Sequence, residues 1–369
     1  MNDRMFPNDL IILFNPHAMA GPVLLIVLPV YVLVLLLMSL CRAVRLFSFD
    51  ICFPAVTAAI CSFANKYSAF NLILNGKLYI FADMMTTDTT QGKAGTADNQ
   101  RLRARYNPDG SLLRHDQMEL LDMLRVLASV CREHGIQWWL SSGTLLGAAR
   151  HNGFIPWDDD MDIVMLRKDY RRLERVLKDT DSEFVLHSMR SDVEYVNCFG
   201  KFRKREGCVK VMSRRYAYYK WRGVGLDIFT IEKTNYFAAR AASVIYNNLQ
   251  HLTSYIRAGW LRRPLIRFFE LLCLGVLNPL LRLVGLVNPR SEYHYSLGTG
   301  WAKHTFYMKD TFPLAEAEFE GVLFPVPKDM DAYLSNVYGD WRRLPSDEYI
   351  KKSIHCREYR EEIFGKEND

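Results

Sequence analysis

Residues 141–165 read SSGTLLGAARHNGFIPWDDDMDIVM. Three consecutive carboxylates, Asp158, Asp159 and Asp160, are followed by Asp162 and then by the apolar run Ile163 to Met165. Alternate residues of a strand share a face, so an extended DMDIVM (160–165) brings Asp160 and Asp162 together at its beginning. Two carboxylates so placed repel each other unless a cation lies between them. Oxygen donors favour a hard divalent ion, Mg2+ or Mn2+. A solvated acidic loop is the plain alternative, and the surrounding sequence has to decide. Upstream, IQWWL (136–140) is short and β-prone, and TLLGAAR opens a helical turn. SSGT therefore sits at a strand-to-helix turn, where backbone N–H groups and the positive end of the helix dipole suit a phosphate. Ser142, Gly143 and Thr144 become candidate phosphate ligands, and Arg150 and His151 follow as further charge. Much later, GLDIF sets Asp227 alone in an apolar strand. A carboxylate there is costly unless paired or metal-bound, which makes Asp227 a natural third acid.

The segments around these motifs predict an α+β chain with a small mixed sheet and flanking helices. In HDQMELLDMLRVLASVCREHG (115–135), Leu120, Leu124, Leu127 and Cys131 fall at helical spacing, and Gly135 can end the helix. KDYRRLERVLKD (168–179) is amphipathic and helical, whereas FVLHSM, YVNCFGKF and GVGLDIFTI read as strands. Residues 236–290 are strongly apolar with isolated arginines, and form a helical insert that could be a lid, an interfacial helix pair or ordinary core helices.

Before the globular part lies a different chemistry. Residues 20–41, AGPVLLIVLPVYVLVLLLMSLC, carry no charge and are long enough to span a bilayer. A buried helix is the competing reading, and a cleaved signal peptide fits less well because the run is too long. Arg42 and Arg45 follow it, against Arg4 before it, which leans toward a cytoplasmic carboxy-terminal domain. The expected division is an apolar, membrane-associated segment over 1–82, a polar linker over 83–105 and a catalytic domain over 106–369. The net charge of +6 suits an anionic substrate or acidic membrane and does not demand nucleic acid. Eight cysteines without a CxxC pair argue against a zinc knot or redox dithiol and suit a reducing compartment. No Ser, His and Asp stand in a hydrolase context.

The motif WWLSSGTLLGAARHNGFIPWDDDMDIVM (138–165) closely resembles the signature of the LicD family of phosphocholine transferases, which includes fukutin-type polyol-phosphate transferases. The resemblance runs from YNPDGSLLRHDQ (106–117) to VYGDWRRLP (337–345), and takes in FGKFRKREG and GLDIF. It implies a nucleotidyltransferase fold like that of polymerase β, with Asp160, Asp162 and Asp227 holding metal. It further implies transfer from a CDP-linked donor to a hydroxyl of a glycan or glycolipid, with CMP released. Ser142, Gly143 and Thr144 would then hold phosphate oxygens, with Arg150 and Lys201 as candidate clamps. The turn stands farther from the acids than in the general nucleotidyltransferase pattern. Two alternatives remain: a DxD nucleotide-sugar glycosyltransferase, for which little Rossmann-like chain precedes the acids, and a nucleotidyltransferase modifying a small acceptor.

Overall fold

A computed structural model describes residues 96–178, 182–208, 214–287, 292–300, 304–354 and 356–365. They belong to one compact unit, Gln91–Asp369. The apolar run 20–41 and the whole 1–82 segment lie outside the described residues.

The unit opens with helix α1 (Thr96–Tyr106) and α2 (Leu112–Glu133). Ser111 caps α2 by accepting the Arg114 N–H at 3.1 Å. Leu113, Gln117, Leu120, Leu124, Leu127 and Cys131 recur at three- and four-residue steps and are all buried. Gly135, at φ +59°, turns the chain out of the helix. Strand β1 (Trp139–Leu140), helix α3 (Ser142–His151), strand β2 (Asp162–Leu166) and helix α4 (Arg167–Lys178) follow. Next come β3 (Phe184–His187), β4 (Gly200–Lys204) and the long β5 (Gly225–Thr234). The apolar insert folds as α5 (Tyr236–Tyr255), α6 (Gly259–Leu272), a π-turn over Cys273–Leu277 and α7 (Asn278–Val287). The remainder is β6 (Glu292–Tyr295), β7 (Thr305–Phe306), α8 (Met308–Thr311), the hairpin β8 (Ala315–Phe319) and β9 (Val322–Val326), and helices α9 (Met330–Tyr338), α10 (Asp347–Ser353) and α11 (Arg357–Phe364).

The main sheet runs β1-β2-β5-β4-β3, with β6 and β7 branching from β5. Among the described strands of this sheet β2 and β5 pair in parallel and the other pairs are antiparallel. Strand β5 can serve two neighbours along one edge because it is ten residues long. Its Gly225–Ile228 half pairs β4, and its Ile231–Thr234 half pairs β6. Ile163, Val164, Met165, Ile228, Phe229 and Ile231 are buried on both faces of this centre, as a parallel pair covered on two sides requires. The five described cysteines are free thiols.

Two differences from the sequence reading have physical causes. The described end of the expected linker, from Thr96, is helical. Its polar surface is tied down by an Asp98–Arg101 pair, by Asn99 accepting from His151 at 2.6 Å, and by the fully buried Tyr106 at its end. Strand β2 begins at Asp162, so Asp160 lies just ahead of it instead of on it.

Candidate active site

The register of the central strands gathers the charged residues. Asp162, the first residue of β2, lies opposite Asp227 of β5; Asp227 lies opposite Lys201 of β4; Lys201 lies opposite His187 of β3. Residues directly opposite in a sheet project from the same face. Asp162, Asp227, Lys201 and His187 therefore form one row across four strands. The Lys201 ammonium forms an ion pair with Oδ1 of Asp227, both side chains being largely buried. At the end of the row His187 is fully buried, with Nε2 at 2.9 Å from Oδ2 of Asp192.

Helix α3 supplies the opposite wall. Its first internal hydrogen bond is Leu145 N–H to Ser141 C=O at 3.0 Å. The N–H groups of Ser142, Gly143 and Thr144 precede that bond and have no helical partner, the geometry that a helix start can offer to an anion. The same turn is bonded to β2. Thr144 Oγ1 accepts the Asp162 N–H at 2.8 Å, the Ser141 N–H donates to the Asp162 carbonyl at 3.2 Å, and the Ser142 hydroxyl lies close enough to favour the Asp162 carboxylate. Ser142 adopts φ +48°, a conformation an L residue rarely holds without surrounding support. That support includes Tyr295, whose phenol meets the hydroxyls of Ser141 and Ser142.

The acids crowd at this junction. Burial, then the charges of Asp160 and Asp227, push the Asp162 carboxyl well above the usual carboxylate range; Lys201 and Ser142 only partly oppose them. Burial, then Asp160, Asp159 and Asp162, push Asp158 up as well, and its carboxyl shares a hydrogen bond with Asp160. Burial is the largest influence on the Lys201 ammonium and disfavours it, but the charge of Asp227, the Tyr216 phenol and the hydrogen bond to Asp227 together outweigh burial and raise its pKa. Among the described residues, Lys201 pairs with Asp227 and the Arg150 guanidinium feels the charge of Asp158, beside acids whose oxygens are donors of the kind Mg2+ or Mn2+ takes.

Other expected or neighbouring groups have different duties. Arg150 is buried and donates to the carbonyls of Trp341 and Arg343, each at 3.2 Å, and to His151 at 2.9 Å. It anchors the carboxy-terminal segment beside the site instead of presenting a free guanidinium to it. Asp159 accepts the Cys356 N–H at 2.8 Å. Glu232 is held by Arg282 at 2.6 Å and Arg167 at 3.6 Å, well satisfied without metal. The acidic loop itself is fastened by Gln117, whose amide donates to the Asp158 carbonyl at 2.9 Å. An added Cβ at Gly143 would stand 2.5 Å from Oδ2 of Asp158, so the turn and the acids are in van der Waals contact.

Sequence reasoning missed Tyr295, Tyr338 and His187. Tyr338, on α9, is exposed along part of its side chain, but desolvation of its hydroxyl end and the charges of Asp162, Asp158 and Asp160 raise its phenol well above the ordinary range, so that end faces the acids. It stands in VYGDW, a stretch already singled out by its resemblance; Tyr295 and His187 carried no comparable signal.

Comparison with known proteins bears on this arrangement directly. Residues 135–256 match the family model described as LicD/FKTN/FKRP, nucleotidyltransferase domain, which contains Ser142 through Asp227. The lipopolysaccharide cholinephosphotransferase LicD of Haemophilus influenzae is 26% identical over 268 residues, 67% of this chain and 97% of that protein. Human ribitol 5-phosphate transferase FKRP is 39% identical over 57 residues, 15% of this chain and 12% of that protein. Mouse ribitol-5-phosphate transferase FKTN is 38% identical over 50 residues, 14% of this chain and 11% of that protein. The acid row and the helix start thus lie inside the stretch of the chain that is similar to the LicD family, whose members compared above are phosphotransferases.

Proposed function

We propose that the protein transfers a substituted phosphate, phosphocholine-like or polyol-phosphate-like, from a CDP-linked donor to a hydroxyl of a glycan or glycolipid, releasing CMP. The observation that carries this reading is the in-register row of Asp162, Asp227 and Lys201 beside the α3 start. A mixed sheet with two acids on adjacent parallel strands suits a nucleotidyltransferase fold. Asp160 and Asp162, with Asp227, are the residues that would hold Mg2+ or Mn2+. Bound there, such an ion would neutralise donor phosphate charge and polarise the reacting phosphorus.

The chain's own groups do the rest. The N–H groups of Ser142, Gly143 and Thr144 receive phosphate oxygens at the helix start. Lys201 supplies a fixed positive charge at the same face. The acceptor oxygen forms a bond to the phosphorus carrying the headgroup, and the bond from that phosphorus to the CMP oxygen breaks. The acceptor proton passes to Asp227, whose position between Asp162 and Lys201 suits a group acting as charge moves. The apolar run 20–41 would anchor the chain, with the catalytic domain on the cytoplasmic side. Incubation with CDP-choline and with CDP-linked polyols, with and without divalent metal, tests the reading by CMP release. A cytidylylated acceptor in place of free CMP would assign the protein to the nucleotidyltransferases that modify small acceptors.

A further inference from the structure

Among the described residues one helix, Gly259–Leu283, is long and apolar enough to cross a membrane. Its packing is that of a helix lying on a surface. One face is built into the domain through Ile266, Phe269, Cys273, Leu277 and Leu281, all buried. That face also carries buried polar partnerships: Arg262 binds Glu194 through two nitrogens at 2.8 and 2.9 Å, and Asn278 binds the Tyr246 hydroxyl at 3.2 Å. A spanning helix would expose these groups to hydrocarbon, where they are costly.

The opposite face is apolar and open. Trp260 is 80% exposed and Leu271 73%, and Phe268, Val276, Leu280 and Leu283 are exposed with them. The steps along this stripe are eight, three, five, four and three. The five falls at the π-turn, Cys273–Leu277. A π-turn adds one residue to a helical turn, so a five-residue step there keeps Val276 on the outer face with Leu271. Without it the stripe would rotate into the domain. Residues 236–287 contain six arginines, at 240, 257, 262, 263, 267 and 282, against a single acid, Glu270. Arg262 and Arg263 share Glu194, Arg267 pairs with Glu270 and Arg282 with Glu232, which leaves an excess of positive charge. Arg257, Arg263 and Arg267 are exposed beside the stripe. An apolar helical face with a large aromatic near one end and flanking arginines matches the interface of an anionic bilayer, apolar groups in the acyl boundary and guanidinium groups among the phosphates.

We propose that α6, the π-turn and α7 dock the domain on an anionic membrane surface, in plane, through the stripe from Trp260 to Leu283. This contact is separate from any anchoring by 20–41 and does not rest on the transfer chemistry.

The test uses the full chain reconstituted with vesicles of phosphatidylcholine and phosphatidylglycerol, some bearing brominated acyl chains. Bromine quenches tryptophan within contact range, and subtracting the Trp260→Phe protein isolates Trp260 from the other tryptophans. Trp260-dependent quenching is expected, at least twofold weaker in pure phosphatidylcholine and lost in Phe268→Glu/Leu271→Glu. Both substituted positions are exposed, and circular dichroism verifies the fold. In a Trp260→Phe background, Leu271→Trp should be quenched most by bromines near the headgroups. Strongest quenching by bromines at the bilayer centre would overturn the in-plane arrangement. Equal quenching of wild type and Trp260→Phe would overturn docking altogether, as would a stripe covered by a second copy of the chain, seen as a dimer in sedimentation that Leu271→Glu dissociates. CMP release by the same samples reports the transfer reaction independently.

Discussion

Replacing Asp227 by Asn separates a catalytic acid from a structural one. Two electrostatic changes of opposite sign follow. Lys201 loses its carboxylate partner, and breaking a buried pair from one side costs about 3–5 kcal/mol in a fully buried setting. Asp162, opposite Asp227 on the neighbouring strand, loses a like charge. At a strand spacing of about 4.8 Å and an effective dielectric near 20, that repulsion is at most roughly 3 kcal/mol, and smaller to the extent that the raised pKa leaves Asp162 protonated. Lys201 also acts on Asp162, so the ammonium keeps a counter-charge. The net change in stability should fall within about 2 kcal/mol of wild type. Turnover should fall far more, by at least about a hundredfold, the scale of losing a general base. Donor affinity should change little, because Asp160 and Asp162 hold the donor side in the ground state whereas Asp227 acts as the acceptor proton leaves. Urea melts, donor titration and CMP release on the Asp160→Asn, Asp162→Asn and Asp227→Asn proteins measure the three quantities separately. Near-wild-type turnover by Asp227→Asn would refute the reasoning and leave Asp227 as the counter-ion of Lys201 alone.

Asp160→Asn and Asp162→Asn should each abolish transfer with the fold intact, and a chelator should do the same to wild type until Mg2+ or Mn2+ is restored; wild-type activity that survives exhaustive chelation would exclude the metal. Adding Mg2+ should raise the melting temperature of wild type and not of Asp162→Asn. Gly143→Ala should destabilise by about 1–3 kcal/mol and depress activity, because its new methyl must displace Asp158; an unchanged melt and unchanged CMP release would show the contact to be slack. His151 has its pKa pushed down to about 3 by burial and by Arg150, and its ring nitrogens lie against Asn99 and Arg150. The folded state therefore holds it neutral, so its contribution is present above the unfolded value near 6.5 and is lost as pH falls toward 3. The slope approaches about 1.4 kcal/mol per pH unit. His151→Gln should flatten the pH dependence of urea stability between 6.5 and 4 relative to wild type, and parallel curves would contradict the assignment.

Local chemistry was legible in the sequence; long-range partnership was not. DMDIVM and GLDIF announced strands because an acid in an apolar run needs a reason, and α2 announced itself by its leucine spacing. Nothing local says that β2 and β5 are parallel neighbours in the register that sets Asp162 against Asp227, because register is fixed by packing across the sheet. Lys201 was named only as a clamp; its pairing with Asp227 depends on β4 lying antiparallel on the other side. Arg150 looked available because charge next to a phosphate turn invites that reading. Its actual acceptors, the carbonyls of Trp341 and Arg343, lie 191 and 193 residues away in sequence. Residues 96–105 read as linker because their composition is polar all round, yet a helix of that kind persists when its end residue is buried, as Tyr106 is. The apolar insert left lid, interface and core open because composition does not say which side of a helix faces the domain.

The geometry also accounts for the distance in sequence between the SSGT turn and the acids. A phosphate site at a helix start and a carboxylate pair at a strand start must be fixed relative to each other, and a short connecting loop is one way to do it. Here the connection over 152–161 is long, and the fixing is done by hydrogen bonds. Thr144 receives the Asp162 N–H, Ser141 donates to the Asp162 carbonyl, and the Ser142 hydroxyl favours its carboxylate. Three residues of the turn, Ser141, Ser142 and Thr144, thus meet one residue of the strand. The loop between them is free to serve other ends: Gln117 holds its Asp158 carbonyl, Asp159 reaches Cys356, and Glu320 binds the Phe154 N–H at 3.1 Å. Length in that loop does not loosen the site, because the two ends that carry the chemistry are bonded directly to each other.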